Sequence, residues 1–168
     1  MPSPVKEMSG VLAEFRREDN QLPTLFRILG IDYGEKRIGL AVSDPLRITA
    51  QGIDTLVSRG WEEDLRALRE IVARQQVERV VVGLPRRMDG TIGRQAQRVE
   101  DFVRRLAEGI GLPVETWDER LTTVAAERAL LEGSVRRSKR KLLRDRLAAV
   151  FILQGYLDAR SSRLEKTE

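Results

Sequence analysis

The chain of 168 residues contains no histidine and no cysteine. Those two absences exclude a Ser-His-Asp triad, a cysteine nucleophile, a histidine general base, an ordinary zinc site and any disulfide. No apolar run is long enough for a membrane span or a secretory leader, so a cytoplasmic protein with no membrane partner is expected. Carboxylate, lysine, arginine and hydroxyl chemistry remains. Hydrolysis by such a chain would run through paired carboxylates, or through carboxylates holding Mg²⁺ or Mn²⁺.

The length suits one domain with a sizeable core. Residues 1–26, which mix proline, serine, charge and scattered apolar positions, read as a mobile extension. The domain proper is expected over residues 27–160, with 161–168 as a tail. A net charge of +4 and a pI near 9.8 give a basic bias toward polyanions.

The segment Ile28-Leu29-Gly30-Ile31-Asp32-Tyr33-Gly34 reads as a buried strand that stops on a carboxylate and turns through glycine. It returns as a second strand from Arg37 through Ser43. Arg47 to Val57 suggests a third, antiparallel strand, with Ile48, Ala50, Gly52, Ile53 and Leu56 as its pattern. From Trp61 to Gln76 the apolar period becomes helical, at Leu65, Leu68, Ile71 and Val72. Val77 to Leu84 is continuously apolar, as a parallel strand covered on both faces would be.

A second helix is expected from Gly93 to Glu108, with Ala96, Val99, Phe102, Val103 and Leu106 inward and Gly109 as C-cap. Leu112 to Trp117 makes the last strand, and Thr122 or Thr123 can cap a helix reaching Leu131. A final helix is expected from Lys139 to Arg160, with Leu142, Leu147, Ala148, Ile152 and Tyr156 as core candidates. The sum is an α/β domain with a mixed sheet and a central first strand. Trp61 and Trp117 are assigned to packing rather than to base stacking.

In such a sheet the C-terminal ends of the parallel strands share one edge, where open α/β sheets place their ligands. Asp32 and the Asp118-Glu119 pair would meet there. Glu119 has the longer reach, which leaves Asp118 as a turn residue or a support behind the ligands, and Asp89 as another nearby acid. Asp145, one turn before Ala148-Ala149, supplies a third acid or else pairs with Lys141. Between Ser134 and Arg146 seven basic residues (Arg136, Arg137, Lys139, Arg140, Lys141, Arg144 and Arg146) face Asp145 alone, a local charge of +6. Phosphate contact is the expected use of that charge. Lys36 and Arg37 in the hairpin, and Arg86 with Arg87 and Arg94 after the Val77 strand, add to it.

Taken together, Gly30-Ile31-Asp32-Tyr33-Gly34 with Arg37-Ile38-Gly39, Val82-Gly83-Leu84-Pro85, Asp118-Glu119-Arg120-Leu121-Thr122-Thr123, and Asp145 with Ala148-Ala149 and Ile152-Leu153-Gln154 resemble the YqgF/RuvX family. The resemblance spans residues 27–160. It implies an RNase H-like fold, a mixed five-stranded sheet of order 3-2-1-4-5 flanked by helices. It also implies a bacterial cytoplasmic nuclease, described both as a Holliday junction resolvase and as the enzyme that matures the 5′ end of 16S ribosomal RNA.

By matching position the resemblance makes Asp32, Glu119 and Asp145 the catalytic metal ligands. Lys36, Arg37, Arg86, Arg136, Arg137, Lys139, Arg140 and Lys141 would contact nucleic acid, in a monomer or a homodimer. Many nucleases of this fold carry an acid at the end of the strand next to the first, and here that strand ends in Gly83-Leu84-Pro85. Two competing readings are a nucleic-acid-binding module with little activity, and an ATP-binding protein using Asp32-Tyr33-Gly34 as a phosphate hairpin.

Overall fold

The computed structural model describes residues 26–87, 89–121 and 137–167, and for 137–146 the helical backbone alone. The expected N-terminal extension up to residue 25, and the helix expected after Thr122, lie outside the described residues. One five-stranded sheet has the order β3-β2-β1-β4-β5. Strands β1 (Arg27–Tyr33), β4 (Val77–Leu84) and β5 (Val114–Asp118) run parallel. Strands β2 (Arg37–Ser43) and β3 (Ala50–Val57) extend the sheet antiparallel from β1. This is the expected arrangement.

Among the described residues three helices cover the sheet. Helices α1 (Trp61–Gln75) and α2 (Arg94–Ile110) share one face with Leu29, Ile31, Val80 and Val82. Helix α3 (Arg137–Glu165) lies across the other, burying Ala149, Ile152, Leu153 and Leu157 with Ile28 and Val81. Because side chains alternate along a strand, β1 and β4 feed both cores, which is why their sequences are apolar without interruption.

Glycine sets how close α3 comes. A Cβ on Gly30 would lie 2.7 Å from the Leu153 Cβ and 3.2 Å from the Ala149 carbonyl oxygen. The deepest residues of the helix are Ala149, Leu153 and Leu157, whereas Leu147, Ala148 and Tyr156 are only half-buried. Gln154 fastens the helix to the start of β3. Its side chain accepts from the Ala50 N–H at 2.9 Å and donates to the Ile48 carbonyl at 2.9 Å.

Three expectations are corrected. Strand β3 begins at Ala50, not Arg47, because the Asp44 carboxylate accepts the N–H groups of Leu46, Ile48 and Thr49 and winds that stretch into a loop, leaving Ile48 59% exposed. Helix α2 continues through Gly109, and the left-handed residue that ends it is Gly111, with φ 71°. Gly109 serves packing instead: a Cβ there would lie 2.8 Å from Leu65 Cδ2, so its absence lets α1 and α2 approach. The final helix is longer than its apolar pattern suggested and runs to Glu165.

Candidate active site

The parallel strands end together at the edge that carries the acids. Ile31 pairs with Val82, and Gly83 with Trp117, so Asp32, Gly83 and Trp117 stand at one level. The β1–β2 turn that follows Asp32 is closed by the Gly34 N–H donating to the Arg37 carbonyl at 3.0 Å. A Cβ on Gly34 would lie 2.7 Å from that same oxygen, so the turn requires glycine. Asp32 is thereby fixed at the tip of a rigid strand, half-buried.

Glu119 begins a short 3₁₀ turn, Glu119–Leu121, just past β5. Its carboxylate leans over β4, with Oε1 2.7 Å from where a Gly83 Cβ would be. Gly83 is thus the space that lets an acid from β5 reach toward Asp32.

Electrostatics agree with this placement. Burial pushes the Glu119 carboxyl up to about 7, helped by the negative charges of Asp32 and then Asp118. A half-buried carboxylate repelled by two others is an anionic site that a cation would relieve. The available donors are hard oxygens, which suits Mg²⁺ or Mn²⁺ rather than a softer metal.

Asp145 lies on the early turns of α3, and of that stretch only the helical backbone is described. Ile152 Cδ1 packs where a Cβ on Gly83 would be, while Tyr156 donates to Glu115, whose strand partner is Val81. Moving forward along α3 therefore moves away from the acidic edge. Asp145 precedes Ala149, which touches Gly30, by one turn of about 6 Å, close to the length of the Gly30–Asp32 step. Among the described side chains, which do not include that of Asp145, no group of three potential metal ligands gathers.

The other two acids named from the sequence have partners of their own. Asp118 accepts from Arg120, with Nε at 3.1 Å and Nη2 at 2.7 Å, and this pairing holds its carboxyl below the usual range. Asp89 accepts from the hydroxyl and the N–H of Thr91, at 2.7 and 2.9 Å, and is likewise lowered. Sequence reasoning gave Arg120 no role. The Asp-x-Arg spacing, which allows a side chain to fold back on the residue two before it, was the available signal.

Among the expected nucleic-acid contacts, Lys36, Arg37 and Arg86 are exposed around this edge. Arg137, Lys139, Arg140 and Lys141 lie on the first turns of α3, and Arg136 falls outside the described residues. Trp61 packs edge-on against Phe102 with Arg105 over its ring, and Trp117 packs edge-on against Tyr156. Both tryptophans are packing residues, as expected.

A 3-2-1-4-5 mixed sheet with helices on both faces is the RNase H-like class of fold. Residues 26–159 match the family model described as RuvX: Holliday junction resolvase, and the chain belongs to that family. A relative from Clostridium kluyveri named "Putative pre-16S rRNA nuclease" is 52% identical over 132 residues, 79% of this chain and 96% of its own. One of the same name from Symbiobacterium thermophilum is 53% identical over 137 residues, 82% of this chain and 95% of its own. The solved structure of Thermus thermophilus RuvC shares the fold, with a TM-score of 0.51 at 16% identity over 82% of this chain and 97% of that one.

Proposed function

We propose that this protein is a divalent-metal-dependent nuclease that hydrolyses phosphodiester bonds in the maturation of the 5′ end of precursor 16S ribosomal RNA. The observation that carries the reading is Glu119 seated across Gly83 beside Asp32, its carboxyl raised to about 7 by burial and by the neighbouring charge. Asp32, Glu119 and Asp145 would hold Mg²⁺ or Mn²⁺. Such ions, when bound, activate water and balance charge on the leaving oxygen. Asp32 supplies a fixed ligand from the sheet, and Glu119 one whose proton is given up near neutral pH. Lys36, Arg37, Arg86 and the basic first turns of α3, with Arg136, would position the phosphate backbone. Among the described residues no helix is long and apolar enough to cross a membrane, and a cytoplasmic site of action fits a substrate of ribosomal RNA.

Cleavage of a four-way DNA junction is the second reading, favoured by the family description. It calls for two active sites and hence a homodimer, whereas trimming RNA needs one site. Wild type and Asp32→Asn, assayed side by side with Mg²⁺ on precursor 16S RNA and on a four-way junction, separate these readings. Metal-dependent cleavage of the RNA that disappears in Asp32→Asn supports the proposal; equal cleavage by both proteins refutes it.

A further inference from the structure

A second groove lies on the α3 face of the sheet, along the outer strand β5, with a volume of about 260 Å³. It is lined by Arg79, Glu115, Trp117, Tyr156, Arg160 and Arg163. Three guanidinium groups against one carboxylate make it cationic. Its residues form a chain of contacts: Arg79 Nη1 donates to Glu115 Oε1 at 2.5 Å, the Tyr156 hydroxyl donates to Glu115 Oε2 at 2.6 Å, and Arg160 hydrogen-bonds Tyr156. Among the described residues neither Arg160 nor Arg163 has a carboxylate within ion-pair distance. Glu115 is thus spent on orienting Arg79 and Tyr156, and two arginines one helical turn apart are left facing the groove.

The groove lies along the strand that Glu119 follows. Glu115 and Trp117, two residues apart, share one face of β5, and Glu119 opens the turn just past the strand's end, so the floor of the groove points toward that carboxylate. From Glu119 to Glu115 is about 13 Å at about 3.3 Å per residue, a distance that a few nucleotides cover. We infer that this groove holds the phosphodiester backbone of the substrate strand flanking the bond to be cleaved, with Arg160 and Arg163 as phosphate contacts. The inference rests on the nuclease reading and adds a direction to it: the strand runs from the acidic edge down the outside of β5. An acidic peptide is the competing occupant of a cationic groove, and a purely structural network is the other alternative.

The test is binding of a fluorescein-labelled single-stranded RNA to the full chain in EDTA, followed by anisotropy over a range of salt. Arg160→Gln/Arg163→Gln is expected to flatten the dependence of log K on log[salt] by about 1.4, since each phosphate contact on a single strand contributes about 0.7. The loss should be larger for a long RNA than for a short one. Arg160→Lys/Arg163→Lys, which keeps the charge, should retain the wild-type slope and shows that folding is not the cause.

Identical slopes for wild type and the glutamine variant overturn the groove while leaving a cleaving wild type a nuclease. A wild type that binds RNA with the expected slope loss but does not cleave it with metal overturns the nuclease reading and keeps the groove as a nucleic-acid site. A wild type that binds no RNA overturns both.

Discussion

Glu119 occupies the volume that a side chain on Gly83 would need, its Oε1 2.7 Å from the position of that missing Cβ. Ile152 Cδ1, from α3, closes the same space. One glycine therefore admits both the acid from β5 and the helix that carries Asp145.

Gly83→Ala is accordingly expected to injure activity more than stability. Overpacking of this kind costs about 1–3 kcal/mol, read as a shift in the urea midpoint. Combining it with Ile152→Val, which removes the clashing methyl, should recover most of that stability. Cleavage should stay low in the double variant because the methyl still displaces Glu119. Full recovery of both would show that Glu119 does not need the space.

The raised Glu119 carboxyl fixes a sign for the pH dependence of the metal-free protein. A carboxyl at about 7 in the folded state, against an ordinary 4.5, binds its proton more tightly when folded. The contribution of this group to stability is then greatest below the ordinary value and falls as pH rises toward about 7. Glu119→Gln removes that loss. Thermal melts in EDTA should show the variant more stable than wild type at about pH 8 and indistinguishable from it at about pH 4. Added Mg²⁺ should raise the wild-type midpoint most at the alkaline end, where the proton no longer competes.

Asp118 and Glu119 are adjacent in sequence and different in use. Asp118 is engaged by Arg120 through two nitrogens, whereas Glu119 is held among apolar groups and other acids. Isothermal titration with Mn²⁺ should find affinity reduced by at least about tenfold in Glu119→Gln and changed by far less in Asp118→Asn. The reverse order would exchange their roles.

Gln154 ties α3 to the β3 side of the sheet by two hydrogen bonds of 2.9 Å. Gln154→Leu leaves the Ala50 N–H and Ile48 carbonyl without these partners. A loss of about 0.5–1.5 kcal/mol in urea unfolding is expected, since water can replace the partner of the exposed Ile48 carbonyl and only the half-buried Ala50 N–H is left wanting.

Much of this architecture can be read from the chain because local pattern and tertiary demand coincide. The unbroken apolar run of Val77–Leu84 demands cover on both faces, and it receives α3 on one and the α1–α2 pair on the other. The nearness of Asp32 and Glu119 follows from placing parallel strand ends at one edge, whereas the full strand order is legible only through the family resemblance. What escapes is set by long-range contact. Gly109 looks like a helix stop until Leu65 is seen against it, and Ile48 looks like a strand residue until Asp44 takes the N–H groups around it. Gly83 reads as an absent acid, and only the fold shows that the absence makes room for another. The groove beside β5 joins Arg79 to Arg160 and Arg163 from distant segments, a proximity that no spacing rule announces.

The central claim is that Asp32, Glu119 and Asp145 surround one divalent-cation site at the end of the sheet. Anomalous diffraction at the manganese edge from crystals soaked in MnCl₂ tests it most directly. The account predicts a peak bounded by the carboxylates of Asp32 and Glu119 with that of Asp145 on its α3 side, and no such peak in crystals of Asp32→Asn. Manganese bound elsewhere, with these three side chains making no contact to it, would contradict the account.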